Sequence, residues 1–297
     1  MTAALSVAIP TYRRDQVLID TVRDLLALDP PPAEILVLDQ TPEHASEVTA
    51  ALLAWDTVGH IRWLRLPEPS IPRAMNQGLL AARHEVVLFL DDDIRPEPGL
   101  SAAHLATHRD SGAALVAGRV IQPWQEGRDF SLDTGFHFAS PHPAWVDEFI
   151  GCNFSVRRDV ALQLGGFDEN FVKVAYRFEA EFAHRLRRAG HRIHYQPAAC
   201  IHHLKVITGG TRSFGEHLTT FKPDHAVGAY YYTLRTWNGG ASLGALLGRP
   251  LRAVMTSHHL RRPWWIPVTL IAELRGLIQA LRLHRRGPCV LRHPSCS

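Results

Sequence analysis

"LSVAIPTYRRDQVLIDTVRDLLALDPPPAEILVLD", residues 5–39, sets two short apolar runs, 5–10 and 34–39, on either side of a segment with helical spacing, 14–28. Short, nearly continuous apolar runs flanking an amphipathic helix are the pattern of a βαβ unit whose strands are buried on both faces. The rhythm continues outward. Residues 43–55 read as a helix, 61–66 as a strand, 72–83 as a helix and 85–91 as a strand. This alternation predicts an α/β chain with a parallel sheet and helices on both of its faces. Such sheets bind ligands beyond the carboxyl ends of their strands. Pro10, Thr11, Tyr12, Asp39 and the triplet Asp91, Asp92, Asp93 each follow a predicted strand, so all are expected on one rim.

The second half is less regular. Residues 114–121 and 148–158 read as strands, separated by a proline-rich loop carrying Trp124 and Trp145. Residues 178–190 read as a helix stopped by Gly190, 191–205 as one or two short strands, and the chain turns helical from about 223. The expected division is 1–222 as one domain with two halves, about 1–120 and about 121–222, followed by a helical basic extension, 223–297.

With 46% apolar and 21% charged residues, the 297-residue chain has an ordinary globular composition. Its net charge of +3 is too small to argue for nucleic acid. From Arg249 onward, nine arginines face a single acid, Glu273, so a tail of +8 leaves −5 on the rest. Four cysteines without CxxC spacing suggest reduced thiols in a cytosolic protein. The apolar opening reads as a strand rather than a signal peptide, and no run of 18 uncharged apolar residues is present. A cytoplasmic location is expected, with contact to the inner face of the plasma membrane as an open alternative.

Within "HEVVLFLDDDIRPEPG" (84–99), Asp91 and Asp93 form a D-x-D at the end of a strand. In an extended segment the two point the same way and offer two hard oxygen ligands, suited to Mg²⁺ or Mn²⁺. Each like-charge contact at about 4 Å costs roughly 1 kcal/mol in water and roughly 4 kcal/mol at a protein surface, so something must relieve it. A cation, helix N-termini and exposure in a solvated turn are the alternatives. Nearby, Pro72 suits a helix start, which places Arg73 and Asn76 on the first turn. Helix amides and a guanidinium suit a diphosphate.

Together "VAIPTYRR" (7–14), "LVLDQTP" (36–42), "SIPRAMNQGL" (70–79), "FLDDDIRP" (89–96), "GCNFSVRR" (151–158), "GGFDENF" (165–171) and "FEAEFAHRLRRAG" (178–190) resemble family 2 glycosyltransferases over roughly residues 5–215. The resemblance implies the GT-A (nucleotide-diphospho-sugar transferase) fold, with a Rossmann-like, mostly parallel sheet, a nucleotide-sugar half at about 1–120 and an acceptor half at about 121–222. It also implies an inverting, divalent-metal-dependent transfer of a hexosyl or deoxyhexosyl group from a nucleotide-diphosphate sugar. The acceptor hydroxyl would belong to a glycan, a lipid-linked molecule or a small metabolite. On that resemblance Pro10, Thr11, Tyr12 and Arg13 flank the base, Asp39 holds base or ribose, and Arg73, Asn76, Asp91 and Asp92 meet the donor. Asp93 and Asp91 ligate Mg²⁺ or Mn²⁺, and a histidine after the last strand, His202 in preference to His203, completes the shell. Lys205 and Arg212 belong to a loop that closes over the donor, while Asn153, Asp168 and Glu181 lie toward the acceptor. Counting back from Arg185, the family's acidic pair falls on Phe178 and Glu179, so it is half missing; the general base falls on Glu179, with Glu181 as the alternative.

Two other readings stay open. A sugar-phosphate nucleotidyltransferase would open with a glycine-rich loop, and "PTYRR" has no glycine. A non-catalytic relative that binds a glycan or a partner is suggested by Phe178. Residues 261–286, with Trp264, Trp265 and flanking arginines, read either as an interfacial anchor or as a packed helix with an arginine-rich outer face. Association into a homo-oligomer is also left open.

Overall fold

The computed structural model describes residues 4–130, 133, 135–210, 213 and 218–291. Arg212 lies outside the described residues. The first half is β1 (Leu5–Thr11), α1 (Gln16–Leu26), β2 (Glu34–Asp39), α2 (Ser46–Thr57), β3 (Arg62–Arg65), α3 (Ile71–Ala81) and β4 (Val86–Leu90). It continues through β5 (Ile94–Pro96), α4 (Leu100–Ser111), β6 (Leu115–Ile121), β7 (Ala144–Val146), β8 (Asn153–Arg157), α5 (Arg158–Gln163), α6 (Phe178–Arg188) and β9 (Ile193–His203). Four helices follow: α7 (Val227–Arg235), α8 (Gly239–Val254), α9 (Ser257–Arg261) and α10 (Ile266–Arg286).

One nine-stranded sheet runs β3-β2-β1-β4-β8-β6-β9-β5, with β7 on β9. Strands β1 to β4 pair in parallel as expected. The second half adds antiparallel members: β8 opposes β4 and β6, while β6 and β9 run parallel to each other. Two antiparallel steps restore direction, so β6 and β9 run with β4. The carboxyl ends of β1, β2, β4, β6 and β9 therefore open on one rim, together with the amino end of β8.

Strand alternation builds the core on both sides. Ala8, Leu36, Leu38, Val87 and Phe89 pack on one face against α3, α5 and α6. Val7, Ile9, Ile35, Val37, Leu88 and Leu90 pack on the other against α1 and α2. Double-sided burial is why the interiors of these strands are nearly continuous apolar runs, with polar residues mostly at their ends; each large side chain so buried contributes roughly 1.5–3 kcal/mol. Gly78 lets α3 sit close to the sheet, since a Cβ there would lie 3.0 Å from Leu38 Cδ1 and 3.2 Å from Ala8 Cβ.

The expected division at 222/223 falls across one core. Val227, Tyr230 and Tyr231 of α7 and Ala280 of α10 belong to the same buried cluster as Phe154 and Phe167. The α10 helix runs against α7, with Gly276 pressed on Ala226. The segment after α10 is tied back through Glu169 N–H donating to Cys289 O and Leu291 N–H to Gly165 O. No helix of the described residues is long and apolar enough to cross a membrane.

Candidate active site

The Asp91–Asp93 triplet follows β4 on the rim, and a buried guanidinium relieves much of its repulsion. Arg14 Nε lies 3.4 Å from Asp92 Oδ1, and its Nη2 lies 3.5 Å from Asp93 Oδ2. Asp92 is buried, accepting from the Thr11 hydroxyl at 2.7 Å, and burial pushes its carboxyl up to about 7 despite Arg14. Asp93 is buried as well, yet its pKa falls below the ordinary value. Desolvation raises it, but the His203 hydrogen bond and charge, Arg14 and the Val206 N–H (2.9 Å) outweigh that. Asp91 is half exposed, and burial pushes its pKa upward against the pull of His203. Thr21 of α1 pins the turn, donating to the Asp92 and Ile94 carbonyls.

Two clefts meet at this triplet. One, about 890 Å³, is lined by Pro10, Thr11, Tyr12, Gln40, Ser70 and the three aspartates. The second, about 1080 Å³, is lined by Phe149, Gly151, Cys152, Tyr176 and Glu179. Ile71, Met75, Asp91, His203 and Lys205 line both, so the two form one groove with Asp91 at the seam.

Glu179 stands in the first turn of α6, and no side-chain partner engages its carboxylate among the described residues. Desolvation, with Asp91 nearby, pushes it up to about 7. A side chain on Gly151 would come within 2.8 Å of Glu179 Oε1, so glycine there leaves room for the carboxylate. The loop leading to α6 holds Lys173, Ala175 and Arg177 at positive φ, a conformation costing of order 1–3 kcal/mol per non-glycine residue and found where structure over-determines it. The α7 helix supplies support: Gly228 lies directly beneath the Tyr176 carbonyl.

Several expected site residues lie elsewhere. His202 bridges Glu97 and Glu126, 2.6 Å from each, on the outer side of β9. His203, one residue on, is the histidine at the triplet, 3.1 Å from Asp93 Oδ1 and 3.6 Å from Asp91 Oδ2. Side-chain alternation in a strand decides between them. Asp39 does not reach the groove: it accepts from Trp63 Nε1 (2.9 Å) and Thr41 N (2.8 Å) and meets His44 Nε2 (3.0 Å), and Gln40 lines the cleft instead. Arg13 is exposed beside Tyr12.

Arg73 and Asn76 are also drawn away. Arg73 pairs with Glu68 and Glu169, and buried Asn76 joins α3 to the Phe167 backbone and Glu169. Asn153 is buried beneath the β6–β9 bulge, donating to the Arg119 and Ala199 carbonyls and bonded to His104. Asp168 is buried too, accepting from the Tyr231 hydroxyl and the Cys289 N–H. Glu181 is paired with Arg185 and Arg235. Each is a polar group satisfied inside the protein. Residue type alone does not distinguish such a group from a ligand contact. Arg14, by contrast, was missed. Its only sequence signal is the "RR" doublet that ends the first loop.

The residues present fit a divalent cation. His203 Nε2 stands between two carboxylates, 3.1 Å from Asp93 Oδ1 and 3.6 Å from Asp91 Oδ2, and oxygen with imidazole nitrogen is a donor set that suits Mn²⁺ or Mg²⁺. Cys152 is close enough to join, its Sγ within 4.8 Å of the Asp91 and His203 donor atoms. Burial raises its pKa well above the ordinary value, and a thiol is a softer donor than the carboxylates and imidazole beside it.

Residues 6–178 match the family model "Glycosyl transferase family 2". The chain belongs to this family. Among curated relatives, it is 24% identical over 270 residues to the succinoglycan biosynthesis protein ExoM of Rhizobium meliloti, covering 89% of this chain and 79% of that one. It is 26% identical over 220 residues to the glucosyl-dolichyl phosphate glucuronosyltransferase of Haloferax volcanii, covering 67% and 68%. A mannosyltransferase of Pyrobaculum calidifontis, solved with GDP-Man and Mn²⁺, superposes with TM-score 0.57 at 17% identity over 96% of this chain and 80% of that one. TarS 1–349 of S. aureus with UDP-GlcNAc superposes with TM-score 0.59 at 12% identity, over 96% and 92%. The fold is GT-A, and the family 2 chain is a glycosyltransferase.

Proposed function

We propose that this glycosyltransferase moves a sugar from a nucleotide-diphosphate donor to a hydroxyl of a glycan or glycolipid acceptor, inverting the anomeric centre. The observation that carries this reading is the groove: a cation-ready carboxylate cluster at one end, an unpaired carboxylate at the other, and Asp91 shared between. The named roles of the relatives, in succinoglycan biosynthesis and as a glucosyl-dolichyl phosphate glucuronosyltransferase, support an acceptor in polysaccharide or glycolipid assembly. Solved neighbours that hold UDP, GDP-Man or UDP-GlcNAc support the donor class.

In this reading the base and ribose lie along Pro10, Tyr12, Gln40 and Ser70. Asp91, Asp93 and His203 would hold Mn²⁺ or Mg²⁺, which would offset charge building on the leaving diphosphate. Lys205, which lines both halves of the groove, meets that diphosphate. Glu179 takes the proton of the acceptor hydroxyl as it attacks from the opposite side. A carboxylate raised to about 7 is a stronger base than an ordinary one and still ionised in useful amount at neutral pH. Asp92, tied to Thr11 and Arg14, positions the turn.

The test is to incubate the protein with a panel of nucleotide sugars and lipid-linked or oligosaccharide acceptors, with Mn²⁺, Mg²⁺ or a chelator. Released nucleoside diphosphate is measured, and the anomeric configuration of the product is read by NMR. Retention of configuration, or full activity in chelator, overturns the mechanism.

A further inference from the structure

The outer surface of the C-terminal helices is apolar where a free surface would be polar. Along α8, Leu243, Leu247, Leu251 and then Met255 recur every fourth residue and are 49%, 72%, 61% and 70% exposed. Leu260 and Trp264 follow at 84% and 65%, and Trp237 precedes the row. The α10 helix buries Thr269, Ala272, Glu273, Gly276 and Ala280 but leaves Leu270, Leu274 and Ile278 exposed on its outer side. Within residues 261–286, α10 packs on α7, and its outer face is apolar as well as basic.

Charge selects the occupant. Residues 239–286 carry eight arginines and one acid, Glu273, which is buried and paired with Arg249. A second copy of this chain would set arginines against arginines with no exposed carboxylate to receive them. An anionic bilayer supplies both a hydrocarbon boundary for the leucine row and phosphates for the guanidinium groups. The exposed tryptophans suit the interfacial layer, apolar in body with one N–H for the polar side.

We propose that α8–α10 form an interfacial docking surface for an anionic phospholipid bilayer, with the Leu243–Leu247–Leu251–Met255 row at the acyl boundary and the arginines among the headgroups. The inference rests on none of the groove's assignments. It would hold the catalytic domain at a membrane surface without a spanning helix.

The test is flotation of the full chain with phosphatidylcholine vesicles and with mixed phosphatidylcholine–phosphatidylglycerol vesicles, at low and high salt. Binding to the mixed vesicles is expected, weakened by salt, with little to neutral ones. A double variant, Leu247→Asp with Leu251→Asp, changes only exposed positions and should lower partitioning by about tenfold or more, while thermal unfolding with nucleotide sugar stays as in the parent. Equal flotation of parent and variant, or none by the parent, overturns the proposal. So does a parent dimer in sedimentation equilibrium that the variant abolishes, since that assigns the face to a second copy; Gly240 and Gly244, open beside the leucine row, make that the competing occupant.

Discussion

The Arg14 guanidinium lies 3.5 Å from the Asp93 carboxylate, both groups buried, and reaches the Val206 carbonyl as well. One side chain from the first loop thus joins the D-x-D turn to the loop after β9. Removing one partner of a buried ion pair typically costs 3–5 kcal/mol, because the other charge is left uncompensated. Arg14→Met should therefore lower unfolding stability by about 3 kcal/mol in urea, and added Mn²⁺ should restore more of it than in the parent. A loss below about 0.5 kcal/mol would show that Asp92 and Asp93 do not depend on this cation.

Glu179→Gln should lower transfer by about 10²- to 10⁴-fold with donor affinity unchanged. Because the parent carboxyl is raised to about 7, kcat/KM should climb as pH rises through neutrality. That limb should be missing from the residual rate of the variant. An unaltered pH profile would move the base elsewhere.

The same shift has a consequence for stability. A folded-state pKa above the ordinary 4.5 means the folded protein holds this proton more tightly. The resulting stabilisation is full below about 4.5 and is lost as pH rises to about 7. Glutamine carries no charge at either pH, so Glu179→Gln should gain Tm relative to the parent at pH 8 by a few degrees, and much less at pH 4.5. Parallel Tm curves across that range would contradict it.

His203→Ala and His202→Ala separate two adjacent residues. The first should weaken Mn²⁺ binding, read as the metal-induced Tm shift, by about tenfold or more. The second disturbs only the Glu97–His202–Glu126 contact and should leave metal binding within about twofold. The reverse result would return the ligand to His202.

Tyr231→Phe deletes the hydroxyl that donates to buried Asp168 at 2.8 Å. It should cost about 1–3 kcal/mol of stability while leaving the acceptor KM unchanged at a temperature where the variant is folded. A KM effect without a stability effect would restore Asp168 to the acceptor side.

The parallel half of the sheet, its rim and the place of the Asp91–Asp93 turn on that rim were legible in the sequence alone. They rest on local regularities: strand and helix periods, buried apolar runs, and a family resemblance spread over seven segments. The sequence reading did not identify α4, the antiparallel partners of β6 and β9, or α7 as part of the core, because these depend on pairings between residues far apart in the chain. The same cause explains the site. Asp39, Asn76, Asn153, Asp168 and Glu181 have the chemistry of ligand contacts, but the folded chain brings each a nearer partner. Arg14 became a central residue only when the turn after β1 met the turn after β4, 79 residues away. Composition and period place polar groups on a rim; only the tertiary structure decides which of them are satisfied by the protein itself and which face the groove.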